Sequence, residues 1–140
     1  SFTESISATD CPAFEAGAGG REDAYYVFLD NGEGVTLTYA STAFDPYLRV
    51  YASTSATAVA TDDNSGGGTT ARLTVRNTSG QRDYFIIVPN TRSAGQSGSY
   101  TMQVAAASAA LVAAAPAPPA WWDERFPRSR TPRRTGEGWR

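Results

Sequence analysis

Neither lysine nor histidine occurs in this sequence, and all 12 basic residues are arginine. Without histidine, neither a Ser-His-Asp nor a Cys-His arrangement can be assembled, and zinc loses one of its usual ligands. The missing lysine is ascribed to a GC-rich coding sequence rather than to function. A single cysteine, Cys11, rules out an internal disulfide, so the apolar core has to hold the fold and the thiol is expected to be buried or free. Long hydrophobic runs are missing as well. The stretch from Met102 to Trp122 is uncharged, but Pro116, Pro118 and Pro119 interrupt it, and it does not make the ~20-residue apolar span of a membrane helix. There is no long amphipathic helix and no tandem repeat.

What remains for catalysis is a pair of carboxylates. Adjacent Asp62 and Asp63 point to opposite faces of an extended chain, and nothing sets two carboxylates across a substrate as glycoside hydrolysis requires. The expectation is therefore no enzyme, with no catalytic residue and no cofactor.

The apolar residues come as short runs of Val, Ile, Leu, Tyr and Phe separated by Gly, Ser, Thr, Asn and Asp, the pattern of an all-β protein. Period-two reading places strands at Phe2–Ser7, Ala24–Asp30, Val35–Tyr39, Tyr47–Ala52, Ala58–Thr61, Arg72–Asn77, Tyr84–Pro89 and Ser99–Val104. Eight short strands point to an antiparallel sandwich. Val35, Leu37 and Tyr39 share one face; Leu48 and Val50 are expected inside and Arg49 outside, each strand keeping one wet face. Asp30 to Gly34 reads as a hairpin, Asn64 to Gly68 as a loop, and Asn77 to Gly80 as another turn.

Three segments follow from this: a β-sandwich domain at 1–104, an Ala/Pro-rich linker at 105–120, and a Trp/Arg-rich docking tail at 121–140 with an extended course. Residues 1–115 carry eleven acidic side chains against six arginines, net −5, and residues 116–140 carry three against six, net +3, which together make the chain's −2. An acidic body with a basic tail is a two-part molecule.

Asp62, Asp63 and Asn64, with Asp45 from a neighbouring loop, offer hard oxygens of the kind calcium takes in sets of six to eight. The competing reading is that Asp and Asn gather here because their side chains bond local backbone, with Asp45-Pro46 launching the Tyr47 strand and Phe44 and Leu48 anchoring it. Tyr25, Tyr26, Tyr47, Tyr51, Tyr84 and Tyr100 are read mainly as packing residues rather than a stacking surface. In the tail, Trp121, Trp122, Arg125, Phe126, Arg128, Arg130, Arg133, Arg134 and Trp139 are the residue types that anchor interfaces, and they are taken as partner-binding. A protein groove is the favoured target. A bilayer interface is the second, and nucleic acid is set aside because the body is acidic and the basic patch is broken by Pro and Glu.

Read in order, Tyr25-Tyr-Val-Phe-Leu-Asp-Asn-Gly, Val35-Thr-Leu-Thr-Tyr, Phe44-Asp-Pro-Tyr-Leu-Arg-Val-Tyr, Thr61-Asp-Asp-Asn, Ala71-Arg-Leu-Thr-Val, Asp83-Tyr-Phe-Ile-Ile-Val and Gly98-Ser-Tyr-Thr-Met-Gln-Val resemble the bacterial pre-peptidase C-terminal (PPC) domain family over residues 2–104. The resemblance implies a jelly-roll-like β-sandwich appended to secreted hydrolases, without catalysis of its own, and with roles in secretion, substrate attachment or calcium-dependent stabilisation. The chain departs from that arrangement in having no protease domain and in its basic aromatic tail. Ser1, with no charged and apolar leader before it, fits an exported chain whose signal peptide has been removed, so a periplasmic or extracellular location is expected. The function expected is a structural or interaction subunit docked through its tail onto a larger complex, with the hydrolase-accessory module as the alternative.

Overall fold

Period-two alternation divides each strand's side chains into two sets, and in the computed structural model one set from each of two sheets meets in a shared core. The structure describes residues 1–7, 9–12, 20–93, 95–106 and 133–134. In chain order the strands are β1 (Phe2–Ile6), β2 (Cys11–Pro12), β3 (Arg21–Glu22), β4 (Tyr25–Leu29), β5 (Gly34–Ala40), β6 (Tyr47–Ala52), β7 (Ala60–Asp62), β8 (Thr70–Arg76), β9 (Asp83–Asn90), β10 (Gly98–Ala106) and β11 (Arg133–Arg134). No helix occurs among the described residues.

The first sheet runs β1-β10-β5-β8, and the second runs β4-β9-β6-β7 with β3, β2 and β11 along its β4 side. Leaving aside the two-residue strands, the first, eighth, third and sixth strands share one sheet and the second, seventh, fourth and fifth share the other. That order is a jelly roll, an all-β sandwich as expected. Strands β3 and β4 are one ribbon, because Glu22↔Asn90 continues the register of Tyr25↔Ile87.

Val35, Leu37, Tyr39, Leu73, Val75, Tyr100 and Met102 of the first sheet face Tyr25, Val27, Leu29, Leu48, Val50, Phe85 and Ile87 of the second. Each of these large side chains removed from water contributes roughly 1.5–3 kcal/mol. Phe44 and Leu48 are buried, as the anchoring role requires.

Two expectations are corrected. The segment from Asp30 to Gly34 is not a hairpin: β4 and β5 lie in different sheets, and the same holds for β8 and β9 around the turn at Asn77 to Gly80. Turn-forming residues dictate reversal of the chain but not its next partner, and among the long strands only β6 and β7 are a true hairpin. The two corners lie side by side, joined by Asn77: Gly32 N donates to Asn77 O at 2.7 Å, Asn77 N to Glu33 O at 2.8 Å, and Asn77 Nδ2 to Leu29 O and Gln81 O, both at 2.8 Å. Gly32 makes its turn at φ 87°, where a side chain would be strained. The second correction is the wet face: Arg49 stands on the side opposite Leu48 and Val50, as expected, but is 0% exposed there.

Strand β10 also runs two residues past its expected end, because Ala105↔Thr36 and Ala106↔Val35 complete the ladder with β5.

Candidate functional site

Alternation puts Glu22, Ala24 and Tyr26 of the β3–β4 ribbon, Tyr47, Arg49 and Tyr51 of β6, and Ile86, Val88 and Asn90 of β9 on the face of the second sheet that points away from the first. The register aligns them in rows: Tyr47, Asn90 and Glu22 in one, Tyr51, Ile86 and Tyr26 in another. An outer face of a two-layer sandwich is ordinarily wet. Here Ala24, Tyr26, Tyr51, Ile86 and Val88 form a second apolar cluster, none more than 2% exposed.

Within that face sits an ion pair. The Arg49 guanidinium contacts the Glu22 carboxylate, donates through Nη1 to Tyr51 Oη at 2.8 Å, and has its Cζ 6.0 Å from the Tyr47 ring centroid and 5.8 Å from that of Tyr51. Glu22 Oε2 also accepts from Asn90 Nδ2 at 3.3 Å. Both charged side chains are wholly buried. Desolvating two charges is costly, so the pair persists through these additional bonds, which fix the register of β3, β9 and β6 against one another.

A second polar set lies inside the core. Tyr100 Oη donates to Asp23 Oδ2 at 2.9 Å, the Tyr25 and Tyr100 hydroxyls are hydrogen-bonded to each other, and Tyr39 Oη donates to Asn90 O at 3.0 Å. Burial, and next the charge of Asp23, holds the Tyr39 and Tyr100 phenols well above the usual tyrosine range. Such phenols stay neutral and act as donors that position strands.

The loop carboxylates are spread over separate tasks. Asp62 Oδ2 accepts from Ser65 N at 3.1 Å and Arg72 N at 2.7 Å, while Ser65 Oγ donates to Arg72 O at 2.6 Å. Asp63 Oδ2 lies 3.9 Å from Arg92 Nη2, and the Arg92 guanidinium stacks 4.5 Å from the Tyr47 ring centroid. Asp45 is partly buried and Asn64 exposed. Among the described residues no group of three or more His, Cys, Asp or Glu is placed to hold a metal ion. The bonds of Asp62 are those of a residue fastening its own loop.

Of the tail residues, Trp121, Trp122, Arg125, Phe126, Arg128, Arg130 and Trp139 lie outside the described residues. Arg133 and Arg134 form β11, whose backbone pairs in parallel with Tyr25 and Tyr26 of β4. The edge of the β3–β4 ribbon thus carries β2 beside β3 and β11 beside β4.

Sequence reasoning passed over Glu22, Asp23 and Arg49. The available signal was the arginine in Tyr47-Leu-Arg-Val-Tyr, set between two aromatics of its own face, and the acidic pair directly ahead of an apolar run. No helix among the described residues is long and apolar enough to cross a membrane. The chain matches no protein-family model, no curated protein and no solved structure.

Proposed function

We propose that the chain is a non-catalytic, exported interaction module that joins a larger protein assembly, membrane-associated or free, through its C-terminal segment. The observation that carries this reading is the seating of Arg133 and Arg134 on the edge of β4. Strand addition of this kind uses main-chain hydrogen bonds for affinity and flanking side chains for specificity. A pairing of two residues is short enough to exchange for a partner's edge. The buried charged and phenolic groups described above support the same reading, since each is engaged in holding strands together.

The test is affinity isolation of the full-length protein from extracytoplasmic and membrane fractions, beside a Trp121→Ala/Trp122→Ala/Phe126→Ala variant. A stoichiometric partner retained by the unaltered chain and lost by the variant is expected. Recovery of the unaltered chain alone would overturn the docking role.

The second reading is an accessory domain of a secreted hydrolase, favoured by the jelly-roll order, which is the fold that the resemblance to PPC domains implies. A coding sequence that places a protease domain ahead of Ser1 would move the assignment to it.

A further inference from the structure

Strand β8 ends the first sheet, and its outer edge is stapled along one half and open along the other. Asn77 N donates to Glu33 O, so every second residue before it, Val75, Leu73 and Ala71, turns its backbone groups toward β5. Thr70, Arg72, Thr74 and Arg76 turn theirs away from the sheet. The 62–66 loop takes up the first two: Gly66 N donates to Thr70 O at 3.1 Å, Asp62 Oδ2 accepts from Arg72 N, and Ser65 Oγ donates to Arg72 O. Thr74 and Arg76 lie past that staple, where β8 has no further partner strand among the described residues.

Beside Thr74 and Arg76 the two layers part. A cleft of about 340 Å³ lies between β8 and the β6–β7 hairpin of the second sheet, with Val75, Ala52, Val59, Ala60 and Phe85 as its apolar wall. Val59 is 51% exposed, the exposed large apolar side chain among the described residues. Leu73, Phe85 and Val75, at 9%, 7% and 5%, are the most accessible buried members of the main core, the others standing at 4% or less. The core is therefore least sealed along this edge. From this geometry we infer that the open half of β8 docks an extended peptide of a partner protein. The peptide adds a strand beside Thr74 and Arg76, seats an apolar side chain in the cleft and presents a carboxylate to Arg76.

Strand alternation selects this peptide. In an added strand the side chain opposite Val75 points between the layers into the cleft, and those opposite Thr74 and Arg76 stand on the sheet's outer face. Arg72, Thr74 and Arg76 are all exposed there, and neither arginine is in an ion pair among the described residues. Thr36, Thr38 and Ala40, beside them on β5, carry no charge. A carboxylate opposite these arginines is favoured, since opposite charges across a strand pair stabilise it and like charges oppose it. The same rule disfavours a second copy of this chain: antiparallel pairing of two β8 edges about Thr74 sets Arg72 of each against Arg76 of the other.

The proposal goes beyond tail docking and rests on none of the C-terminal residues, so the two readings fail separately. The test is a titration of the isotope-labelled full-length protein with the capped peptide Glu-Ile-Thr-Ile-Glu, followed by amide resonances and hydrogen exchange. Exchange at Thr74 and Arg76 should slow, with shift changes centred on β8, Val59 and Phe85. The peptide Arg-Ile-Thr-Ile-Arg should bind several-fold more weakly, and Glu-Ser-Thr-Ser-Glu not measurably. Arg76→Glu should exchange the preference between the two charged peptides. Thr74→Pro removes an outward N–H that the β5 ladder does not use, and should keep the fold while abolishing binding. Three results would overturn the proposal: unchanged exchange at Thr74 and Arg76 in millimolar peptide, shift changes centred on another edge, or equal affinity for the two charged peptides.

Discussion

Arg49 of β6 and Glu22 of β3 reach each other across β9, and neither side chain is accessible to solvent. Removing one partner of such a pair strands a charge in a low-dielectric site. Arg49→Met or Glu22→Gln alone should lower stability by about 3–5 kcal/mol, while the double variant should recover much of that loss. Urea unfolding of the four proteins closes the cycle. Single variants that lose less than about 1 kcal/mol, the range of an exposed pair, would mean that water reaches the site.

Asn77 donates to two carbonyls through Nδ2 and accepts from Ser79 N at 3.0 Å through Oδ1. Asn77→Ala should cost about 1–3 kcal/mol by leaving buried groups of the corner unsatisfied. Asn77→Asp should be worse despite its equal size, since an oxygen replaces the nitrogen opposite Leu29 O and Gln81 O. Equal melting temperatures for the two variants would remove Asn77 as the joint of the corners.

Alkaline pH should weaken the fold through its tyrosines. For Tyr39 and Tyr100 the folded pKa is raised, first by burial, so the neutral phenol is favoured in the native state. Their contribution is fully present below about pH 10, the pKa in the unfolded chain, and is lost as pH rises toward the folded value. The slope is about 1.4 kcal/mol per pH unit for each phenol that stays neutral in the native state. With no lysine in the chain, no side-chain ammonium titrates in this window. Tyr100→Phe should remove one such contribution, visible as a shallower fall of stability between pH 10 and 11 in denaturant titrations.

Asp62 fastens its loop as an acceptor, so Asp62→Asn, which keeps an oxygen, should stay within a few tenths of a kcal/mol of the unaltered chain. Asp62→Ala should cost about 1 kcal/mol. Melting temperatures taken in calcium and in chelator provide the check. A calcium-dependent rise that Asp62→Asn abolishes would reassign the loop to ion binding.

The strands of the first sheet were legible because they alternate over a half-dry face: Val35-Thr-Leu-Thr-Tyr can expose its threonines only if the other three are buried, whereas β4 and β9 of the second sheet read as short apolar runs buried on both faces. Assignment to sheets was not legible, since Asp30-Asn-Gly and Asn77-Thr-Ser-Gly encode reversals that suit a hairpin and a corner equally well. Arg49 escaped for a related reason. Alternation shows on which face a side chain stands, but not whether that face is exposed to solvent. Strand β11 had no signal at all, because two arginines beside a proline carry no strand period.

The jelly-roll order also dictates when this molecule can be completed. Phe2 pairs with Met102 and Ile6 with Gly98, so the first strand has no neighbour until nearly the whole sandwich sequence is present. Pairings of such long sequence separation pay their loop-closure entropy early and place all-β chains among the slower folders, in milliseconds to seconds. During synthesis the leading segment therefore stays without its sheet until β10 has emerged. A chain with that property remains threadable until β10 is made, and closes on itself only afterwards.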